Sequence, residues 1–372
     1  MDPEFDFESY KYDLPTDQIA QSPVKIRDKS RLFVIDCKND SMQDINFTDI
    51  LNFFQAGDLL VVNDTKVFPA RLEGRKDTGG KIELFLLEYP DFKNVSKIET
   101  TTDQSVTQKG YCLTVTGLLK RSKRPKVGSQ FFFSPKVEGT LLQFLADGKA
   151  SVKLCFDVAN DETPEESLMQ CGRVPLPPYI HRNAEDHPSD RDRYQTLFAR
   201  KSGAIAAPTA GLHFSEELLH ELKERNIQIA PITLHVGYGT FAPVRVEDIR
   251  QHKIHEEYIE VSRETAELIN KTRKAGKRIW TVGTTTARTL EFAANKDGQV
   301  EAKQGWCGLY IYPGYKFKVV NALITNFHLP GSSLLFLVAA LAGRLNILRA
   351  YQKAIQLGYR FYSYGDAMLI IT

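Results

Sequence analysis

Three histidines stand in loops suited to reactive groups. His213, in APTAGLHF, lies two residues before Ser215, and Ser215 followed by Glu216 and Glu217 reads as the N-cap of a helix. The positive end of that helix's dipole disfavours a proton on the ring, leaving a neutral imidazole able to accept one near neutral pH. His328, in TNFHLP, precedes Pro330 and the Ser332 and Ser333 that open another helix, and is the second candidate for base or proton donor. His235 opens HVGYGTF, where Gly237 and Gly239 let the backbone approach a ligand closely, as a plain tight turn would also require. His213 and His328 also fit structural histidines bonded to backbone, the commoner role for a lone histidine. His181, His187, His220, His252 and His255 sit among charges and carry no such expectation.

A second set of residues suits anion and polar-ligand binding. GTTTAR at 283–288 brings the hydroxyls of Thr284, Thr285 and Thr286 and free backbone N–H groups to a helix start, with Arg288 about one turn on: a cradle for a carboxylate or phosphate, or an ordinary threonine cap. Asp64, in NDTKVFPARL, is a short acid at a strand end, and Arg71 follows seven residues later. Asp64 can orient a ligand or merely stabilise a turn; Asp366, in YGDAMLI, can orient an amine or hydroxyl or cap the last turn. Thr209 and Thr240, beside two of the histidines, complete the candidate binding residues together with Gly237.

These residues need elements to position them. Segments DLLVV (58–62), IQIAPITL (227–234), RIWTV (278–282), VVNALIT (319–325) and YRFYSY (359–364) read as strands, each running into one of the polar loops just named. Helices are expected from Ser215 and over 262–275, the latter with acids early, Lys271, Arg273 and Lys274 late, and Gly276 at the left-handed cap. Strands alternating with helices predict an α/β, barrel-like main domain with ligands at the carboxyl ends of its strands. Between about 72 and 158 the pattern changes to short alternating segments such as KIEL (81–84) and SVKLCF (151–156), predicting an inserted small all-β barrel between main-domain segments 1–71 and 159–372. The insert carries the densest basic run, KRSKRPK at 120–126, which reads as a solvated loop until a polyanionic partner is in view.

The 372 residues exceed a typical single domain. Lys and Arg total 48 against 46 acids, so any RNA contact must be local. Five scattered cysteines, Cys37, Cys112, Cys155, Cys171 and Cys307, fit neither a disulfide framework nor a zinc site. With an amino terminus unlike a signal peptide, and LLFLVAALA (334–342) too short to span a bilayer, the expectation is a cytoplasmic protein with no membrane partner and that run as a buried helix. No GxxxxGK[ST], HExxH or GxGxxG turn after a strand is present, which counts against P-loop, zincin and ordinary dinucleotide or methyltransferase architectures; no catalytic metal is expected. The oligomeric state stays open, a monomer being favoured.

The same segments resemble the S-adenosylmethionine:tRNA ribosyltransferase-isomerase family. The similarity runs through YDLP (12–15), GDLLVVNDTKVFPARL (57–72), VPLPPYI (174–180), DRYQTLFA (192–199) and GAIAAPTAGLHF (203–214). It continues through LHVGYGTFAPV (234–244), VGTTTARTLE (282–291), YPGYKFKVVNALITNFHLPGSSLLFLVAALAG (312–343) and YGDAML (364–369). Residues 73–165 match only in character, and Asn321-Ala322 and Gly331-Ser332-Ser333 depart locally.

The resemblance implies transfer and isomerisation of the ribosyl part of S-adenosylmethionine onto 7-aminomethyl-7-deazaguanine at the wobble position of tRNA, giving epoxyqueuosine and releasing adenine and methionine. In that scheme His213 and His328 are candidates to remove an acidified C5′ proton and to protonate departing adenine. Asp64 orients the aminomethyl group or ribose hydroxyls, and Arg71, Arg288 and Thr284, Thr285 and Thr286 hold the methionine carboxylate. Tyr238, Phe241 and Tyr315 are candidate platforms for the splayed-out base, and the basic run at 120–126 a phosphate contact. The competing readings are a non-catalytic tRNA-binding protein and a tRNA methyltransferase.

Overall fold

The computed structural model describes residues 2–101, 107–121, 123–158, 162–182, 188–241 and 243–372. It divides into two compact units, one of Met1–Lys66, Pro177–Lys201 and Ala207–Thr372, the other of Val67–Leu176 and Ser202–Ala206. The second reaches beyond the expected 72–158 because Phe68, Ala70 and Leu168 are buried in its apolar core.

The first unit is built on a nine-stranded mixed sheet. In chain order its strands are β1 (Arg31–Asp36), β2 (Ser41–Asn46), β3 (Leu59–Asn63), β4 (Gln228–Leu234), β5 (Glu257–Val261), β6 (Ile279–Val282), β7 (Lys303–Cys307), β8 (Ala322–Asn326) and β9 (Ala367–Ile371). Across the sheet they lie in the order β7-β5-β4-β3-β6-β8-β9-β1-β2. Both faces are covered, and the period-two alternation of side chains separates two apolar layers. Phe33, Ile35, Leu323, Met368 and Ile370 pack on one face, while Leu32, Val34, Ile324, Leu369 and Ile371 pack on the other.

Helices α1 (Glu216–Glu224), α2 (Arg263–Lys274), α3 (Thr284–Ala293), α4 (Ser333–Ala342) and α5 (Arg344–Gln356) belong to this unit. The expected caps form: Ser215 accepts from the Leu218 N–H, and Ser262 from that of Thr265. Gly276 takes φ 70°, a left-handed position at which a β-carbon would be strained. The apolar run at 334–342 falls in α4 and is mostly buried. Among the described residues no single helix is long and apolar enough to cross a membrane.

Strand direction decides where the polar loops meet. β3, β4, β6 and β8 run parallel, so their carboxyl ends share one edge. β9 and β1 run antiparallel to them, and so does β5, so it is their amino ends that reach the same edge. This corrects one expectation. YRFYSY (359–364) is a turn in which Tyr362 adopts φ 70°, and Asp366 reaches the edge by preceding β9 rather than by following a strand.

The second unit is a closed six-stranded antiparallel barrel. Arg71–Lys76, Lys81–Leu86, Thr107–Arg121, Lys149–Asp157, Val137–Phe144 and Gln130–Ser134 pair in turn, and the last returns to the first. Ser96–Thr101 adds to Thr107–Arg121. Val152, Leu154 and Phe156 point together into its core, as the alternation in SVKLCF requires. At Gly117, shared by two neighbouring strands, a β-carbon would lie 2.7 Å from the Phe85 carbonyl oxygen. The cysteine expectation is corrected here: Cys112 and Cys155 are directly opposed across two strands and joined as a disulfide. Their separation of 43 residues hides this pairing, which the strand register creates.

Candidate functional site

The edge gathers Asp64, His235, Thr284, Asn326, Asp366, Ser30 and Glu257 at or next to strand ends. His213 is nearly fully buried, with Nδ1 2.8 Å from the Ser30 hydroxyl and Nε2 3.1 Å from the Asn326 Nδ2. The Asn326 Nδ2 also donates to the Tyr362 carbonyl at 3.1 Å, which fixes the amide's orientation. Nε2 of His213 is therefore the acceptor, and Nδ1–H donates to Ser30. The Asn326 Oδ1 accepts from the Thr209 hydroxyl at 3.3 Å. Burial, with smaller contributions from the Arg360 and Arg27 charges, lowers the His213 pKa to about 3. The ring is neutral as expected, but burial rather than a helix dipole dominates, and both nitrogens are engaged. In this structure the His213 acceptor nitrogen is taken up by the Asn326 amide.

His328 is differently held. Its Nε2 lies 3.1 Å from the Thr325 hydroxyl, its N–H donates to the Tyr351 hydroxyl at 2.9 Å, and its carbonyl accepts from Tyr12. Among the described residues Nδ1 has no hydrogen-bond partner. Burial lowers its pKa to about 3 as well, against the expected value near 7.

Between β3 and β4 lies a second polar group. The Asp64 Oδ1 accepts from the Thr233 hydroxyl at 2.7 Å, while no described residue bonds its Oδ2. The His235 Nδ1 is 2.8 Å from the Thr65 hydroxyl, its ring stacks on Tyr258, and burial lowers its pKa. Asn63 bridges the neighbouring strand ends, donating to the Leu234 carbonyl and to the Thr285 hydroxyl. Glu257 then secures the loop after β4: its Oε1 accepts from the Gly237 N–H at 3.0 Å and the Thr240 hydroxyl at 2.8 Å, and its Oε2 accepts from Arg288 at 2.5 Å.

Several expected ligand-binding residues are committed to the fold instead. Arg288 is buried against Glu257 and donates to the Leu309 and Cys307 carbonyls, so its guanidinium is not free for a carboxylate. The Thr286 hydroxyl turns back to the Val282 carbonyl, as helix threonines do, and leaves the cradle to Thr284 and Thr285. Asp366 accepts from the Arg31 and Arg360 N–H groups and pins its turn. Arg71 belongs to the barrel unit and pairs there with Glu83 at 2.7 Å. Gly237 and Thr240 act through Glu257. Among the suggested platforms Tyr315 is tied to Glu291, Tyr238 is exposed, and the Phe241 side chain lies outside the described residues. Ser122 of the basic run does too; Arg121 and Arg124 lie over the Phe144 ring. Among the described residues no group of three His, Cys, Asp or Glu side chains is placed to hold a metal ion.

Ser30, Asn326, Glu257 and Tyr362 were not anticipated. Asn326 was legible in principle, since an amide at a buried strand end two residues before His328 needs partners. Ser30 and Glu257 reach the edge only through antiparallel strands, which no local pattern reveals.

Comparison with known proteins agrees with this architecture. Residues 7–370 match a family model described as queuosine biosynthesis protein. Proteins named S-adenosylmethionine:tRNA ribosyltransferase-isomerase from Desulfotalea psychrophila and Syntrophotalea carbinolica are 50% and 46% identical, covering 100% and 99% of this chain and 99% of each relative. The crystal structure of the S-adenosylmethionine tRNA ribosyltransferase from Thermotoga maritima is similar with a TM-score of 0.52 and 33% identity, over 99% of this chain and 100% of that one. The chain belongs to the queuosine biosynthesis protein family, that of the S-adenosylmethionine:tRNA ribosyltransferase-isomerases.

Proposed function

We propose that this enzyme transfers and isomerises the ribosyl part of S-adenosylmethionine onto 7-aminomethyl-7-deazaguanine at the wobble position of a cytoplasmic tRNA, giving epoxyqueuosine and releasing adenine and methionine. The observation that carries the reading is the buried edge with His328, Asp64 and the Thr284 and Thr285 helix start, in a chain whose relatives bear that name over their full length.

The base we assign is His328, through its unpaired Nδ1. Its low pKa does not oppose the role. That value measures the difficulty of bringing a new charge from water into a dry site. Removal of a C5′ proton from a sulfonium moves a positive charge from donor to imidazole and leaves the pocket's net charge unchanged. His213, whose ring nitrogens are both bonded, is a positioning residue for Asn326. The unpaired Asp64 Oδ2 suits the substrate aminomethyl group or the ribose hydroxyls, and the N–H groups at the start of α3 suit the methionine carboxylate.

The test is to incubate the protein with S-adenosylmethionine and tRNA carrying the aminomethyl-deazaguanine, and to resolve the products chromatographically. Free adenine with a matching mass gain in the nucleoside supports the reading. S-adenosylhomocysteine would make the protein a methyltransferase, and tRNA binding without turnover would make it a binding protein.

A further inference from the structure

Tyr362 combines three features that a purely structural residue does not need. Its backbone adopts φ 70°, a conformation rare for a bulky side chain and found mainly where surroundings enforce it. The enforcement is visible. The Tyr362 N–H donates to the Phe327 carbonyl, while its own carbonyl accepts from the Asn326 Nδ2 and the Gly365 N–H. A β-carbon at Gly365 would lie 2.4 Å from the Arg360 carbonyl oxygen, so the turn is set to this shape.

The side chain is only 5% exposed, its ring lying 4.8 Å from that of Tyr179, yet among the described residues its hydroxyl has no hydrogen-bond partner. The hydroxyl is not itself sealed from solvent, so it is open to bond a ligand that enters the site. Finally, Tyr362 lies between the two histidines. Its carbonyl is bonded to the amide that holds His213, and its hydroxyl is near enough to interact electrostatically with the phenols of Tyr12 and Tyr351, which bond the His328 backbone.

We propose that Tyr362 contacts the nucleoside donor directly, its phenol donating a hydrogen bond to a ring nitrogen of the purine that departs. The inference rests on the ribosyl-transfer reading and adds a donor that reading lacks. His213 has spent its N–H on Ser30, and burial keeps the Tyr362 phenol protonated throughout the neutral range. Negative charge gathers on a purine as its glycosidic bond breaks, so a donor aimed there acts mainly in the transition state.

The experiment is adenine release by the full chain and by Tyr362→Phe, with S-adenosylmethionine affinity measured by calorimetry and stability by thermal unfolding. Phenylalanine keeps the ring and the same backbone conformation, so the comparison isolates the hydroxyl. The expected result is a fall in kcat of about ten- to a hundredfold, donor affinity changed less than about threefold, and Tm unchanged or raised. A kcat within twofold of the unsubstituted enzyme overturns the proposal and leaves ribosyl transfer standing. Absence of adenine from the unsubstituted enzyme overturns both.

Discussion

The two units of this molecule solve the problem of buried polar groups in opposite ways. In the barrel unit the described interior is aliphatic and aromatic, and only Lys76, Ser151 and Ser167 are buried polar or charged residues. Surface cations such as Lys136 pair with acids, here Glu162, while the buried Lys76 ammonium donates to the Lys123 carbonyl. The sheet unit instead buries His213, His328, Asp64, Asn326, Glu257 and Arg288 along a single edge, nearly every one tied to another strand. Desolvating so many polar groups is unfavourable and is offset only by complete pairing. The Asp64 Oδ2, the His328 Nδ1 and the Tyr362 hydroxyl have no partner among the described residues and are not sealed from solvent, and it is these groups that the ribosyl-transfer proposal gives to the ligand.

The largest test of this contrast is Glu257→Ala. It leaves Arg288 charged and buried without its partner and frees the loop at Gly237 and Thr240, so a loss of about 3–5 kcal/mol is expected in urea unfolding. A loss below about 1 kcal/mol would show that the edge is not the tightly coupled network described.

Acid comes next. The pKa values of His213 and His328 are lowered from 6.5 to about 3, so below pH 6.5 the unfolded chain binds protons that the folded chain refuses. Stability should therefore fall as pH drops from 6.5 toward 3, by about 2 kcal/mol per histidine between pH 7 and pH 5. None of the eight histidines lies in the barrel unit. Hydrogen exchange at the two pH values should accordingly show protection lost in β3, β6 and β8 before the barrel strands; equal loss in both units would break the contrast.

The smallest effect belongs to the barrel surface. Lys136→Ala should change stability by no more than about 1 kcal/mol, because the lysine side chain is half exposed and its charge is largely solvated. A loss as large as that of Glu257→Ala would mean that the barrel too depends on its charges.

Helices α1 to α4, four of the five strands at the edge and the barrel were legible in the sequence, because period and capping are local signals; α5, which has no side-chain cap, was not. Ser215, Ser262 and Gly276 perform as written. It misread YRFYSY, whose aromatic run resembles a strand but whose Tyr362 and Gly365 form a turn held from outside by Asn326 and Phe327. It also offered Arg71, Arg288 and Asp366 as ligand groups. Whether a guanidinium is free depends on partners 12 or 31 residues away, Glu83 and Glu257, and such pairings follow from topology alone. His213 and His328 looked alike as loop histidines and separated only when their hydrogen bonds were known.

The most direct test of the account is to follow label from S-adenosylmethionine deuterated at C5′ in the presence of the aminomethyl-deazaguanine tRNA. The account predicts that the enzyme releases deuterium to solvent, that His328→Gln abolishes the release while the protein stays folded, and that Asp64→Asn weakens substrate binding but still permits it. Undiminished release by His328→Gln would contradict the assignment of the base.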